Sequence, residues 1–351
     1  MNYRGAYVLI GILVTVQVIY LIFKEDIITL YDTMIQRRTN SDCFEIFWAK
    51  YAANQLGKTF AHQGSEIFNN TTDVQQHITR DNRTCNAYLT LKDPQGGAGN
   101  VMFKIAALIG VAKRHGILPR TTFNDHRIFK WFELPPIYNK LRATNSILVK
   151  EERHAYQTVI ETLDTSRNWT LGGFRQSWRY FANATYEVRQ MFTLKSEYTD
   201  KAEEFLGNIS SPDAVNVCVH VRRGDMLQEV TIKRGNLPTD PAYLNRSMDY
   251  FRNRFNNRTV NFVIISDDMK WCEKNIFGSD VFYSPFQTDV LDFALMVCCD
   301  HAIVTMGTFG WWGAWLSGGI TVYFSAWPAK GSSLDKDLNK TDYFPDSWIG
   351  L

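Results

Sequence analysis

Val215-Asn216-Val217-Cys218-Val219-His220-Val221, running directly into Arg222-Arg223-Gly224-Asp225, is the stretch that decides the fold. The run is rich in β-branched valine and holds no charge before Arg222, the mark of a strand buried on both faces. Asp240–Phe255 then reads as a helix. Val260–Ile265 reads as a second wholly apolar strand, closed by Ser266-Asp267-Asp268. Helices are expected over Met269–Ile276 and Thr288–Cys299, a strand over Ala302–Val304, a turn at Met306-Gly307-Thr308, a helix over Phe309–Leu316 and a strand over Ile320–Phe324. Such an alternation of apolar strands and helices predicts a parallel, doubly wound α/β sheet.

The alternation extends towards the N-terminus. Ala87–Lys92 reads as a strand, Pro94-Gln95-Gly96-Gly97-Ala98-Gly99 as a turn, and Asn100–His115 as a helix with Val101, Ile105, Leu108, Ile109 and Ala112 at helical spacing. Residues 117–205 mix short strands with helices such as Asp125–Leu134 and Tyr186–Leu206, and Phe44–Lys58 is a further helical segment. Six cysteines match no zinc spacing and leave any disulfide connectivity open; Cys43 and Cys85 flank a polar stretch.

Ala6 to Phe23 is a run of 18 residues without charge, interrupted only by Thr15 and Gln17. It approaches the roughly 20 residues that span a bilayer and lacks a small-residue cleavage site after it, so an uncleaved anchor is expected. Arg4 lies before the run, whereas Lys24, Glu25 and Asp26 nearly cancel after it, which places residues 1–5 in the cytosol and the remainder in a lumen. Nine Asn-x-Ser/Thr sequons (Asn69, Asn70, Asn82, Asn168, Asn183, Asn208, Asn245, Asn257 and Asn339) all follow the anchor and agree with that orientation. Hydrophobic residues make up 45% and charged residues 21% of the 351-residue chain, an ordinary globular balance, and the net charge of +2 argues against a nucleic-acid partner.

Three polar groups fall at equivalent strand ends, where open parallel sheets bind ligands: His220–Asp225, Ser266–Asp268 and Thr305–Phe309. Two arginines at the end of a buried strand need partners, and guanidinium forks match diphosphate oxygens. The simpler alternative is a surface ion pair with Asp225 neutralising Arg223. Asp292 as a helix N-terminal charge and Thr308 as an ordinary cap are alternatives of the same kind. Trp311, Trp312 and Trp315 read as core, and Asp335-Lys336-Asp337 as a solvated run rather than a metal site.

His220-Val221-Arg222-Arg223-Gly224-Asp225, Ile264-Ile265-Ser266-Asp267-Asp268 and the run from Asp292 to Gly319 together resemble the three signatures of the α1,2-fucosyltransferases. Gly96-Gly97-Ala98-Gly99-Asn100 and Gln176-Ser177-Trp178-Arg179-Tyr180-Phe181 are similar to other stretches of that family. The resemblance, over about residues 86–350, implies two Rossmann-like domains facing across a cleft (GT-B-like), with GDP-fucose as donor. With the anchor, this divides the chain into a cytoplasmic tail (1–5), a transmembrane signal anchor (6–23), a lumenal stem (24–85), an acceptor-side domain (86–206) and a GDP-fucose domain (207–351), in a single-pass Golgi membrane protein.

Carried over, Arg222 contacts the diphosphate and Arg223 supports it or the cleft. His220 and Asp292 approach the nucleoside, Asp292 accepting from guanine. Asp267 or Asp268 lines the nucleotide site, Thr308 and Phe309 sit at the phosphate, and Asn100 approaches from the opposite domain. Asp225 is either the base or the group that orients Arg223. No metal or other cofactor is expected, and the acceptor is a galactose-terminated glycan read by residues 117–205. A fucosyltransferase of another linkage and a non-catalytic lumenal lectin remain alternatives. A dinucleotide-dependent reductase lacks its glycine fingerprint after Val215–Val221.

Overall fold

The computed structural model describes residues 43–62, 85, 87–91, 93, 95–135, 137–138 and 145–351. The tail at 1–5, the anchor at 6–23 and the sequons Asn69, Asn70 and Asn82 lie outside these residues. Among the described residues no helix is long and apolar enough to cross a membrane.

Among the described residues, ten strands form two sheets. The first holds β1 (Tyr88–Leu91), β2 (Leu118–Thr121), β3 (Ile147–Val149) and β4 (Trp169–Leu171) in the order β2-β1-β4-β3, all parallel. The second holds β5 (Val215–Val221), β6 (Val260–Ser266), β7 (Val281–Tyr283), β8 (His301–Val304), β9 (Thr321–Tyr323) and β10 (Ile349–Gly350). Its order is β10-β9-β8-β5-β6-β7, again all parallel. The chain leaves β5 for β6 and β7 on one side and returns to β8 on the other, so the topological switch lies between β5 and β8. Val217, Cys218, Val219 and Val221 are fully buried. Burial on both faces explains why the run is continuous rather than alternating.

Two helices join the halves. Ala98–His115 packs beside β1 and β2, and Thr308–Ser317 packs against it. The Phe103 ring centre lies 4.6 Å from that of Trp311 and 5.0 Å from that of Trp312. All three are buried, as expected of core tryptophans, and aromatic pairs of this kind add about 0.5–1.5 kcal/mol each beyond area burial. One hydrophobic cluster runs through both sheets.

The segment expected to be a stem is in part body. Cys43–His62 is a helix whose Phe44, Phe47, Trp48 and Tyr51 are buried, and Cys43 is disulfide-bonded to Cys85. The Tyr51 hydroxyl donates to the Glu133 carbonyl at 2.7 Å. The expected Tyr186–Leu206 helix is two helices, Thr185–Met191 and Ser196–Ile209. Between them Phe192 and Leu194 turn inward, and Leu194 makes a bridge to Phe132. Ser196–Ile209 packs on the Asp289–Cys298 helix of the second half. Asp125–Leu134 shortens to Ile128–Trp131. Of the described sequon asparagines, Asn183, Asn208, Asn245, Asn257 and Asn339 are exposed, while Asn168 is half-buried and accepts from the Tyr88 amide.

Candidate active site

β5, β6 and β8 are neighbours, so their C-terminal ends bring the three polar groups to one place at the switch point. A cleft of about 610 Å³ opens there, lined from the first half by residues 97–100 and from the second by His220, Arg222, Asp267, Asp292 and Thr308. The Thr305 hydroxyl, fully buried, accepts the Arg222 amide at 2.9 Å and ties the end of β5 to that of β8.

The two arginines part company here. Arg222 lines the cleft, its Nη2 2.6 Å from an Asp225 oxygen and its Nη1 3.0 Å from an Asp267 oxygen. The two carboxylates fix the fork and leave its remaining N–H groups for another anion. Arg223 does not line the cleft. Its side chain, 13% exposed, stacks 3.8 Å from the Trp271 ring centre and pairs with Asp268 at 3.2 Å. Asp268 caps the Met269–Asn275 helix through the Trp271 amide and is likewise no part of the lining. Asp267 is the aspartate that faces the cleft, and it also accepts the Arg223 amide. Asp225 pairs with Arg222, not with Arg223 as the sequence suggested, because Gly224–Leu227 turns as a short 3-10 helix that carries it under the Arg222 fork.

In the same cleft as the fork, two helix N-termini meet. The Thr308 hydroxyl donates to the Asn100 side-chain oxygen at 2.8 Å, and Gln176 donates to the same oxygen at 2.9 Å. The approach requires Gly99, since a Cβ there would stand 2.5 Å from the Thr308 carbonyl carbon. The Asn100 amide is taken by the Gly97 carbonyl at 3.0 Å, while the first two amides of each helix have no intrahelical acceptor and carry the positive end of the helix dipole. Phosphate oxygens fit such a place.

His220 is buried beneath Phe309, their ring centres 5.6 Å apart, with its Nδ1 against Gly310. Burial and the adjacent Arg222 push its pKa down to about 4, so the ring is neutral at physiological pH. Asp292 sits in the first turn of Asp289–Cys298, bonded to the Ser284 hydroxyl. Burial pushes it up to about 6. Among the described residues no cluster of three or more His, Cys, Asp or Glu side chains is placed to hold a metal ion.

Residues 32–351 match the profile described as Glycosyl transferase family 11. The chain belongs to this family. It is 33% identical over 279 residues to the galactoside α-(1,2)-fucosyltransferase 1 of Bos taurus, an alignment covering 74% of this chain and 75% of the relative. It is 32% identical over 274 residues to the Homo sapiens protein of the same name, covering 74% and 73%. Among solved structures, the α1,6-fucosyltransferase NodZ from Bradyrhizobium, in crystals soaked with GDP-fucose, matches at 13% identity with a TM-score of 0.47, covering 68% of this chain and 95% of that one.

For a family 11 glycosyltransferase, several lining residues carry no local sequence signal. Arg127 pairs with Asp289 at 2.6 Å, and both reach the cleft. Gln176 is set by its neighbour Arg175, a fully buried arginine in left-handed backbone (φ 55°) that donates to the Gly172 and Val149 carbonyls. His154 meets Asp337, so the run read as solvated is engaged at one end. The cleft is also lined by Arg234, Asn236, Trp327, Leu334 and Leu338 of the second half, together with His154.

Proposed function

We propose that this protein transfers L-fucose from GDP-fucose to the 2-hydroxyl of a terminal β-galactoside, forming an α1,2 linkage with inversion and without a metal ion. The observation that carries the reading is the Arg222 fork, held by Asp225 and Asp267 and sharing one cleft with the first turns of two helices, in a family 11 chain. As the bond to GDP breaks, negative charge grows on the diphosphate. Preorganised donors aimed at that charge lower the barrier most effectively in a site that needs no rearrangement. Asp292 would accept from guanine, and neutral His220 with Phe309 would pack against the nucleoside. In the cell the catalytic body would face the Golgi lumen, anchored by residues 6–23, with exposed sequons open to glycosylation.

The test is to incubate the purified chain with GDP-fucose and an array of galactose-terminated, core-glycan and peptide acceptors and to determine the product linkage. An α1,2-fucosylated galactoside is the expected product. Transfer to a core glycan or a peptide hydroxyl would replace this reading with another linkage. Binding of GDP-fucose with neither transfer nor hydrolysis would favour a lectin-like protein.

A further inference from the structure

The proposed transfer needs a group to receive the acceptor's proton, and the cleft's carboxylates are already engaged. Asp225 and Asp267 hold the Arg222 fork. Asp289 holds Arg127. Asp292 bonds Ser284, which follows β7 at one edge of the second sheet, on the side assigned above to the nucleoside. His220 is buried with its Nδ1 against Gly310.

His154 differs from all of these. It lines the same cleft, and its Nδ1 lies 2.5 Å from an Asp337 oxygen, a residue 183 positions away that follows β9 on the opposite side of the switch point. A carboxylate at Nδ1 selects the tautomer with the proton on that nitrogen, which leaves the Nε2 lone pair free to accept. The same carboxylate stabilises the imidazolium that results. The pair is fixed in place. The Asn339 amide donates to the His154 carbonyl at 3.3 Å. The Tyr156 amide and Arg179 Nη1 donate to buried Asp342 at 2.9 and 3.0 Å, and the Trp178 indole donates to the Thr341 carbonyl at 3.0 Å. Segment 154–156 is therefore stitched to 337–342, and a rigid support is what a proton-transfer group requires.

We propose that His154, oriented by Asp337, takes the proton from the acceptor hydroxyl and marks the acceptor side of the cleft; the inference rests on the function proposed above. The acceptor oxygen forms its bond to the anomeric carbon while the carbon–oxygen bond to GDP breaks. The hydroxyl proton passes to Nε2, the electron pair of the broken bond leaves on the β-phosphate opposite Arg222, and the imidazolium returns its proton to water.

The experiment compares the full chain with His154→Ala and Asp337→Asn, measuring kcat for transfer, GDP affinity and acceptor-free hydrolysis of GDP-fucose. In H154A, kcat for transfer should fall by about 100-fold to 1,000-fold, with GDP affinity kept and turnover partly restored by added imidazole. D337N, which leaves the ring but not its orientation, should lose about tenfold or more. Transfer by H154A within threefold of the unaltered chain, or a loss confined to acceptor KM, overturns the inference. Should H154A fail to bind GDP, D337N decides: undiminished turnover there also overturns it. If the unaltered chain itself transfers no fucose, the proposed function fails instead.

Discussion

Asp292 is raised from 3.8 to about 6, first because it is buried, with the Ser284 hydroxyl acting the other way. An acid whose pKa is higher in the native than in the unfolded chain binds more protons when folded. Native stability then falls as pH rises from about 4 to about 6 and stays lowered above that. Asp292→Asn removes the buried charge and should stabilise the ligand-free protein by on the order of 2 kcal/mol at pH 7.5, a gain that shrinks towards pH 4.5. If the carboxylate accepts from guanine, the same variant should bind GDP at least tenfold more weakly at pH 7.5. Thermal melts at the two pH values with GDP titration check both signs, and a variant that is neither more stable nor weaker in binding would contradict the assignment. At this scale the strand-end residues were readable because each lies within a few positions of an apolar strand. Asp225 was paired with the wrong arginine because the chain turns after Val221 into the short helix Gly224–Leu227, which carries the carboxylate to Arg222. His154 gave no signal and Asp337 was read only as part of a solvated run, since only the fold brings these two residues together.

Among elements, what was legible followed from burial. Val215–Val221 and Val260–Ser266 are buried along nearly their whole length, and each boundary falls within a residue of where the apolar run ends. The first sheet is built from strands of three or four residues, and β3 leaves Ile147 and Leu148 each 37% exposed, so neither length nor alternation announces it. The Cys43–His62 helix was recognised as a helix but not as part of the body, because its partners, Gly116 and Glu133, lie far along the chain. That packing carries a prediction about the disulfide that follows it. Closing a loop of 42 positions restricts the unfolded chain by about 4 kcal/mol on the chain-entropy account. Cys85→Ser should therefore lower the denaturant midpoint markedly while leaving kcat intact, since neither cysteine lines the cleft. A chain begun at Ala87 should do worse, losing Phe44, Phe47, Trp48 and Tyr51 from the core as well. An unchanged midpoint in C85S would show that the helix holds itself in place without the bridge.

Across the whole molecule, the net charge of +2 is too small for long-range attraction of a nucleotide, so the charge that matters is local. It comes from Arg222 on the second half and from two helix N-termini that touch through Asn100 and Thr308, each worth about half an elementary charge. The two halves must stay packed for these to converge, which is the role of Phe103 between Trp311 and Trp312 and of the close approach at Gly99. If these fixed groups neutralise the leaving diphosphate, a divalent ion has nothing left to supply, and two outcomes follow together. Incubation with EDTA should leave the rate of fucose transfer unchanged in the unaltered chain. Arg222→Lys, which keeps the charge but cannot span Asp225, Asp267 and a phosphate with a rigid fork, should lose about 100-fold in kcat, near 2.7 kcal/mol, and manganese should not restore it. The pairing matters, because chelation alone tests only whether a metal helps, while the lysine variant tests what stands in for it. Loss of activity in EDTA that returns with manganese would move the burden from the arginine to a metal, and an R222K rate close to that of the unaltered chain would move it to the helix ends alone.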